Sequence, residues 1–406
     1  MHELRADNRE LTAIHRRGIK IKDKLKIILF EVIKDIHEIK KDDIEVVVPK
    51  NREHGDFSSN IALKLAKNLN MKPYEIGNLI KEKIQKKYNI FENIKLEGPG
   101  FINFYIKEFY FTDKILKSVE KGDFKRFSIK NENVKLALIL SDINEILELS
   151  EFRAFMNMYY LGNIYNLAGY KVSKTVVVYN DETNNLDNFL SNFKGVKVTK
   201  NFDELNDSII FSSYKNQFLL KQYGIKDKRY IVNKVNVYKN KIERNDIDTV
   251  QLIDILGFDR LKYSLCTNTF TSEVYIEITR DDLRFITYPY SRISSVINIL
   301  EKEGILLGNI EDVKEIILEN NLEKEILTKL TQFKDIVKSS IAYNDFFKII
   351  KYANDLCENF YKLNSITLYR KLGRQKLMSR LRLLNSVKII LEEIYKLLEV
   401  SKNYCL

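Results

Sequence analysis

Five groups of residues in this 406-residue chain have types and spacing that suit chemistry. Glu148, Ser150 and Glu151 stand just ahead of a long apolar helix pattern, and Asn180-Asp181 closes the strand that follows it. An aspartate at the carboxyl end of such a strand can pair with a cationic ligand, because α/β sheets bind ligands there; a plain turn aspartate reads the same way. YKNKIERND (238–246) offers Lys239 and Lys241 to a phosphate, diluted by Glu243 and Asp246. YRKLGRQKLMSRLR (369–382) carries Arg370, Lys371, Arg374, Lys376, Arg380 and Arg382 without an acidic residue, flanked by Tyr361 and Tyr369. Cations interleaved with rings suit a nucleic-acid strand, the rival reading being a solvated basic turn in which Arg380 and Arg382 buttress helices. FINFYI (101–106) places Phe101, Asn103 and Tyr105 on one side of an alternating strand. Rings and an amide suit stacking on and bonding to an unpaired base, although a half-buried sheet with a tolerant outer face gives the same pattern.

What is missing narrows the chemistry. His2, His15, His37 and His54 are the only histidines, all within the first 54 residues. Cys266, Cys357 and Cys405 are odd in number, widely spaced and without a CxxC pair, which argues for reduced thiols and against a disulfide frame or zinc site. No apolar run approaches the roughly 18 residues of a membrane span, and the amino terminus lacks the apolar core of a signal peptide, so a cytoplasmic protein is expected. Hydrophobic residues at 45% and charged residues at 30% fit a globular chain, and a net charge of +11 fits a polyanionic partner.

The elements that must position these residues follow from periodicity. Ile61, Leu65 and Leu69 form one helical stripe with Ser58 or Ser59 as N-cap, and a second helix opens at Pro73 with Ile76, Leu79/Ile80 and Ile84. Gly98-Pro99-Gly100 then breaks into the strand 101–106, with Ile102, Phe104 and Ile106 facing a core. A strand over 134–140, a helix over 152–170 and a strand over 171–179 make a βαβ unit, the opening of a doubly wound parallel sheet. From about Thr279 onward the pattern is helical.

The wording of these segments resembles the arginyl-tRNA synthetase family, a class I aminoacyl-tRNA synthetase. Gly-Asp-Phe-x-x-Asn-x-Ala, a helix pair and Gly-Pro-Gly-Phe-Ile-Asn-Phe resemble its N-terminal domain, which grips the tRNA corner through the residues matching Phe101 and Asn103. GFDRLKY (257–263) resembles Gly-x-Asp-x-Leu-Arg-Tyr, and FITYPYSRISS, IIKYANDLCENFYKLNSI and RLRLLNSV resemble blocks of its anticodon-binding region. The family's ATP signature reads roughly Asn-Pro-Thr-Gly-Pro-x-His-x-Gly-His-x-Arg. Arg153 and Gly169 keep the family's interval, and in that register the two histidine positions hold Glu148 and Glu151, the glycine between them is Ser150 and the upstream glycine is Glu145. A carboxylate accepts but does not donate, and it repels a triphosphate. The Lys-Met-Ser-Lys loop is replaced by the segment around Lys241, about 90 residues after Glu151, which implies that much of the second nucleotide-binding half is deleted. Asn180-Asp181 matches the start of Asn-Asp-x-Gly-x-Gln, with Thr183 and Asn185 in place of the glycine and glutamine.

The resemblance implies an N-terminal extension over 1–21, an α+β tRNA-binding domain over 22–125, a shortened Rossmann-like catalytic-domain remnant over 126–278 and an α-helical anticodon-binding (DALR) bundle over 279–406. It implies a pseudoenzyme that binds tRNA or a tRNA-like RNA through Phe101, Asn103, Tyr361, Arg370, Lys371, Arg374 and Lys376. No catalytic residue or metal is expected, with Glu148, Ser150, Glu151 and Lys241 as degenerate motif positions and Asn180 and Asp181 as a possible ligand pocket. No cofactor is expected unless catalysis survives, in which case it is ATP. A true aminoacyl-tRNA synthetase is a candidate partner. Residual or partner-dependent arginine–tRNA ligase activity and a protein-interaction scaffold are the rival readings.

Overall fold

In the computed structural model the described residues are 24–47, 49, 54–127, 132–141, 147–179, 189–226, 229–306, 310, 313 and 316–400. The chain divides into two compact units, Met1–Ile115 and Leu116–Leu406. The expected extension over 1–21, Glu145, and the possible pocket residues Asn180 and Asp181 lie outside the described residues.

In the first unit Leu25, Ile28, Leu29, Val32 and Ile33 recur at helical steps, so helix α1 (24–33) buries one stripe. Strand β1 (Phe57–Ser59) leads into α2 (Ile61–Leu69), whose N-cap position is Asn60. Ser59 stays in β1, one residue short of the cap position the sequence suggests; its hydroxyl donates to the Glu45 carbonyl at 2.6 Å and accepts from the Ile61 N–H at 3.4 Å. Helix α3 (Pro73–Lys87) opens on proline as expected, and β2 (Phe91–Glu97) and β3 (Phe101–Ile106) complete an antiparallel sheet in the order β1-β3-β2. Gly100, between β2 and β3, sits at φ 137°, and a Cβ there would lie 2.7 Å from that of Pro73. Conformation and space both require glycine. Ile102, Phe104 and Ile106 face one apolar core with Ile80 and Ile84.

Helix α4 (Glu108–Glu120) carries the chain into the second unit. There β4 (Asn133–Leu140), α5 (Leu149–Leu167) and β5 (Lys171–Val178) form the expected βαβ unit. With β6 (Val196–Thr199), β7 (Ile209–Ser213), helix α6 (Gln217–Gln222) and β8 (Arg229–Val232), they complete an all-parallel sheet in the order β6-β5-β4-β7-β8. Helix α5 is buried on nearly every side, between that sheet and the C-terminal helices, so no single apolar stripe marks it. A small sheet in the order β10-β9-β11 follows, from β9 (Val235–Lys239), β10 (Ile242–Glu243) and, after helices α7 (Thr249–Leu256) and α8 (Phe258–Ser264), β11 (Val274–Glu277). Helices α9 (Asp282–Lys302), α10 (Asn321–Tyr343), α11 (Phe347–Ser365) and α12 (Arg374–Leu398) form the terminal bundle.

The sheet and the bundle share one unit, and no break falls near residue 279. Hydrogen bonds close the seam: Tyr160 donates to Leu398 O at 3.0 Å, Asn163 to Leu397 O at 3.0 Å and Tyr159 to a Glu399 carboxylate oxygen at 2.8 Å. Residues 116–125 also belong to this unit and not to the N-terminal domain. Arg382, fully buried, makes a two-pronged bond to Glu120 at 2.7 and 2.9 Å, and Phe124 meets Phe333 edge-on at 5.4 Å. Arg382 is therefore a bundle staple, one of the two roles the sequence left open.

Lys174 on β5 lies within this seam, its ammonium 3.7 Å from the Tyr159 ring centroid and 2.7 Å from Asn163 Oδ1. Gly162 makes the room, since a Cβ there would come within 2.5 Å of the lysine chain. Burial pushes the amine down to about 8, from an ordinary 10.5. Between those values the unfolded chain holds a proton that the folded chain has released, so this residue makes stability rise with pH through that window. Replacing Lys174 by Met is expected to remove that rise, read as urea midpoints of both proteins at pH 7 and pH 9.5. Parallel pH dependence in the two proteins would contradict the assignment.

Candidate functional site

The carboxyl ends of β4 and β7 meet the first turn of α5. Ser141, just past β4, donates to Asn216 Oδ1 at 2.7 Å, and Asn216, just past β7, donates to Glu151 Oε1 at 2.8 Å. Glu151 Oε2 accepts from the Glu148 backbone N–H at 3.1 Å, and the Glu148 carboxylate pairs with Lys215. Ser150, Glu151 and Asn216 are all buried. A helix amino terminus ordinarily attracts an anion through its unpaired N–H groups and dipole. Here Glu148 and Glu151 are the anions. Burial raises the Glu151 carboxyl above the ordinary range, opposed by the Asn216 bond, and the Glu148 bond raises the Lys215 ammonium. The sequence located Glu148, Ser150 and Glu151 but not Lys215 and Asn216. Those two lie more than sixty residues away, and only the parallel pairing of β4 with β7 brings them in.

Lys241 occupies a tight hairpin. Asn240 (φ 53°) and Lys241 (φ 68°) form the two-residue turn between β9 and β10, where Lys239 pairs with Ile242. Both turn N–H groups donate to the Glu277 carboxylate, at 3.1 and 3.0 Å. The Lys241 bond foremost, then those from the Thr279 hydroxyl and N–H and from Asn240, hold Glu277 down to about 2. Successive backbone donors of this kind make an anion-binding hollow, and Glu277 fills it. Arg153, which anchors the motif register, is fully buried and donates to four carbonyls: Leu265 at 3.1 Å, Asn233 at 2.9 Å, Lys234 at 3.3 Å and Thr269 at 2.7 Å.

The proposed RNA contacts divide by exposure. Phe101 is 41% exposed, whereas Asn103 is only 2% exposed. This corrects the picture of a ring and an amide presented together. β3 is the central strand, and Asn103 lies in register between Ser58 and Lys95 on its two neighbours. Most of the acid-free run 369–382 is likewise compensated from elsewhere in the fold. Arg370 forms a two-pronged pair with Glu303, Lys376 pairs with Glu319 at 2.8 Å, and Arg380 with Glu323 at 2.7 Å. The charge available to a phosphate there is smaller than the sequence suggests, because these carboxylates come from the end cap of α9, from α10 and from the segment before α10. Lys371 and Arg374 are exposed.

Tyr361 leads to a better-formed surface. Its ring lies parallel to Tyr288 at 5.8 Å and 7°, with Phe285 at 5.0 Å, and its hydroxyl donates to Phe285 O at 3.1 Å. These rings line an open cleft of about 560 Å³ between α9 and α11, with Asp281, Arg284, Asn364 and Ser365. The sequence named Tyr361 alone. Phe285 and Tyr288 sit three residues apart on α9, a helical-face spacing that marks a pair without saying whether it faces a core or solvent.

Comparison with known proteins agrees with this architecture. A model of the arginyl tRNA synthetase N terminal domain matches residues 20–106, and a model of the DALR anticodon binding domain matches 286–403. An arginine–tRNA ligase of Staphylococcus aureus (strain bovine RF122 / ET3-1) is 32% identical over 170 residues, 41% of this chain and 30% of that relative. The match thus spans under a third of the relative's length. A provisionally named arginyl-tRNA synthetase from Campylobacter jejuni superposes with a TM-score of 0.58 at 13% identity, covering 73% of this chain and 99% of that one. Arginyl-tRNA synthetase from Plasmodium falciparum gives 0.52 at 15% identity, covering 94% and 98%. At these identities the structural likeness is one of fold. With two domain models in family order around a parallel α/β core, the chain belongs to the arginyl-tRNA synthetase family.

Proposed function

We propose that this chain is a tRNA-binding member of its family that forms no aminoacyl-adenylate. The observation that carries this reading is the first turn of α5, where Glu148, Glu151, Asn216 and Lys215 satisfy one another at the place an ATP phosphate would need. An acceptor-only group in that position offers a phosphate no donor, and the backbone donors at the Lys241 turn are taken by Glu277. ATP approaching this terminus meets a carboxylate-lined edge.

RNA binding rests on the cleft of Phe285, Tyr288 and Tyr361, with Arg284 for a phosphate and Asn364 for a base edge, and on exposed Phe101 in the other unit. A base stack contributes about 1–3 kcal/mol and carries no charge, whereas each phosphate contact steepens the fall of affinity with salt. Tyr361→Ala is therefore expected to weaken tRNA binding by about 5- to 150-fold while leaving the slope of log K against log salt unchanged. Fluorescence anisotropy with labelled tRNA at several salt concentrations measures both. Unchanged affinity would remove this cleft from the RNA surface, and absence of any salt-dependent binding would favour the protein-scaffold reading. Among the described residues no helix is long and apolar enough to cross a membrane.

A further inference from the structure

A second cluster of rings lies on the parallel sheet, outside every surface considered so far. Tyr179 follows β5, Phe202 opens the short turn after β6 and Tyr223 ends α6. Phe202 and Tyr223 stack face to face at 4.1 Å and 14°, and Tyr179 stands edge-on to each at 6.2 Å. Phe202 reaches down to the apolar cluster of Ala137, Ile139, Val177 and Leu219, so the group is anchored to the sheet. Its outer members are open: Tyr179 is 44% exposed, Tyr223 37%, and Phe218 on α6 52%.

Rings fixed against one another with outer faces in solvent form a ready-made stacking surface, and they lose little freedom on binding. The cluster stands at the carboxyl edge of a parallel sheet, where α/β folds place ligands. The segments that carry the rings also hold Lys200, Lys221 and Lys226 with Asp203 and Asp207, a small basic excess, while Glu204 pairs with Lys197. A polyanion suits that balance. A free nucleotide does not, because the amino terminus of α5, the long helix that opens at this sheet edge, is closed to phosphates by Glu148 and Glu151. A single stack is too weak to retain a free base at low concentration, but it adds to affinity when the base belongs to a strand already held elsewhere.

We propose that Tyr179 and Tyr223 form a stacking platform for an unpaired nucleotide of the RNA that the chain binds. This rests on the RNA-binding reading above.

The chain contains no tryptophan, so Tyr223→Trp installs a single reporter on the platform. Titrated with labelled tRNA, its fluorescence is expected to quench and to saturate together with the anisotropy of the label. Adding Tyr179→Ala, a truncation at an exposed ring, should weaken binding by about 5- to 150-fold without altering the salt slope. Tyr179→Trp provides an independent reporter should Tyr223→Trp disturb the Phe202 stack. Anisotropy that rises while both reporters stay unquenched overturns the platform and leaves the RNA-binding reading intact. No anisotropy change at all overturns both. Quenching by AMP at the concentrations where tRNA acts would assign the site to a free nucleotide instead, also against the proposal.

Discussion

Arginine-dependent exchange of pyrophosphate into ATP is expected to stay at background with the purified chain, and Glu148→His with Glu151→His is not expected to restore it. Removing one donor that stabilises developing charge typically costs about 10²–10³ in rate. Two such positions are acceptors here, so a deficit of about 10⁴ or more follows if the losses multiply. Lys215 does not repair this, because its ammonium is committed to Glu148. Restoring both histidines leaves Ser150 packed behind them, removes the acceptor for Asn216 and returns nothing at the Lys241 turn, whose N–H groups remain on Glu277. Exchange clearly above an arginine-free control would show that the carboxylates move aside and would sink the adenylate-deficient reading. The measurement should be repeated with tRNA present, since a member that adenylates only with tRNA bound would otherwise be missed.

The sequence carried the fold further than the site. Each element of the βαβ unit and the helix pair ahead of Gly98 is marked by local periodicity and punctuation, which the structure keeps to within a few residues. Asn103 shows where that logic stops. Alternation along 101–106 separates two faces, but whether the outer face sees solvent depends on strands supplied by Ser58 and Lys95, distant in sequence and assigned by pairing alone. The basic run fails for the same reason. No acidic residue lies within 369–382, yet Glu303, Glu319 and Glu323 arrive from other helices and turns to meet its cations. Composition counts charges; only the fold pairs them. Lys215 and Asn216 complete the picture, being unremarkable residues in sequence that become half of the network at the α5 terminus.

Arg153→Ala is expected to destabilise the second unit by about 3–5 kcal/mol, the range for truncating a large, fully buried side chain to alanine. The guanidinium has no exposed surface and no carboxylate partner among the described residues, and burial pushes it down to about 10. It remains protonated at neutral pH because carbonyls of Asn233, Lys234, Leu265 and Thr269 surround it, tying α5 to the approach to β9 and to the loop ahead of β11. Alanine leaves those carbonyls without donors in a space the side chain had filled, so desolvation and cavity costs add. Lysine keeps the charge but has one nitrogen where the fork has three, and it should recover only part of the loss. Urea unfolding of the full chain, followed by circular dichroism, gives both differences. Arg153→Ala within about 1 kcal/mol of the parent would show that water or rearranged backbone satisfies these carbonyls. An effect of the expected size, with Arg153→Lys intermediate, would mean that the residue fixing the motif register in sequence is held there by folding, whatever becomes of the chemistry beside it.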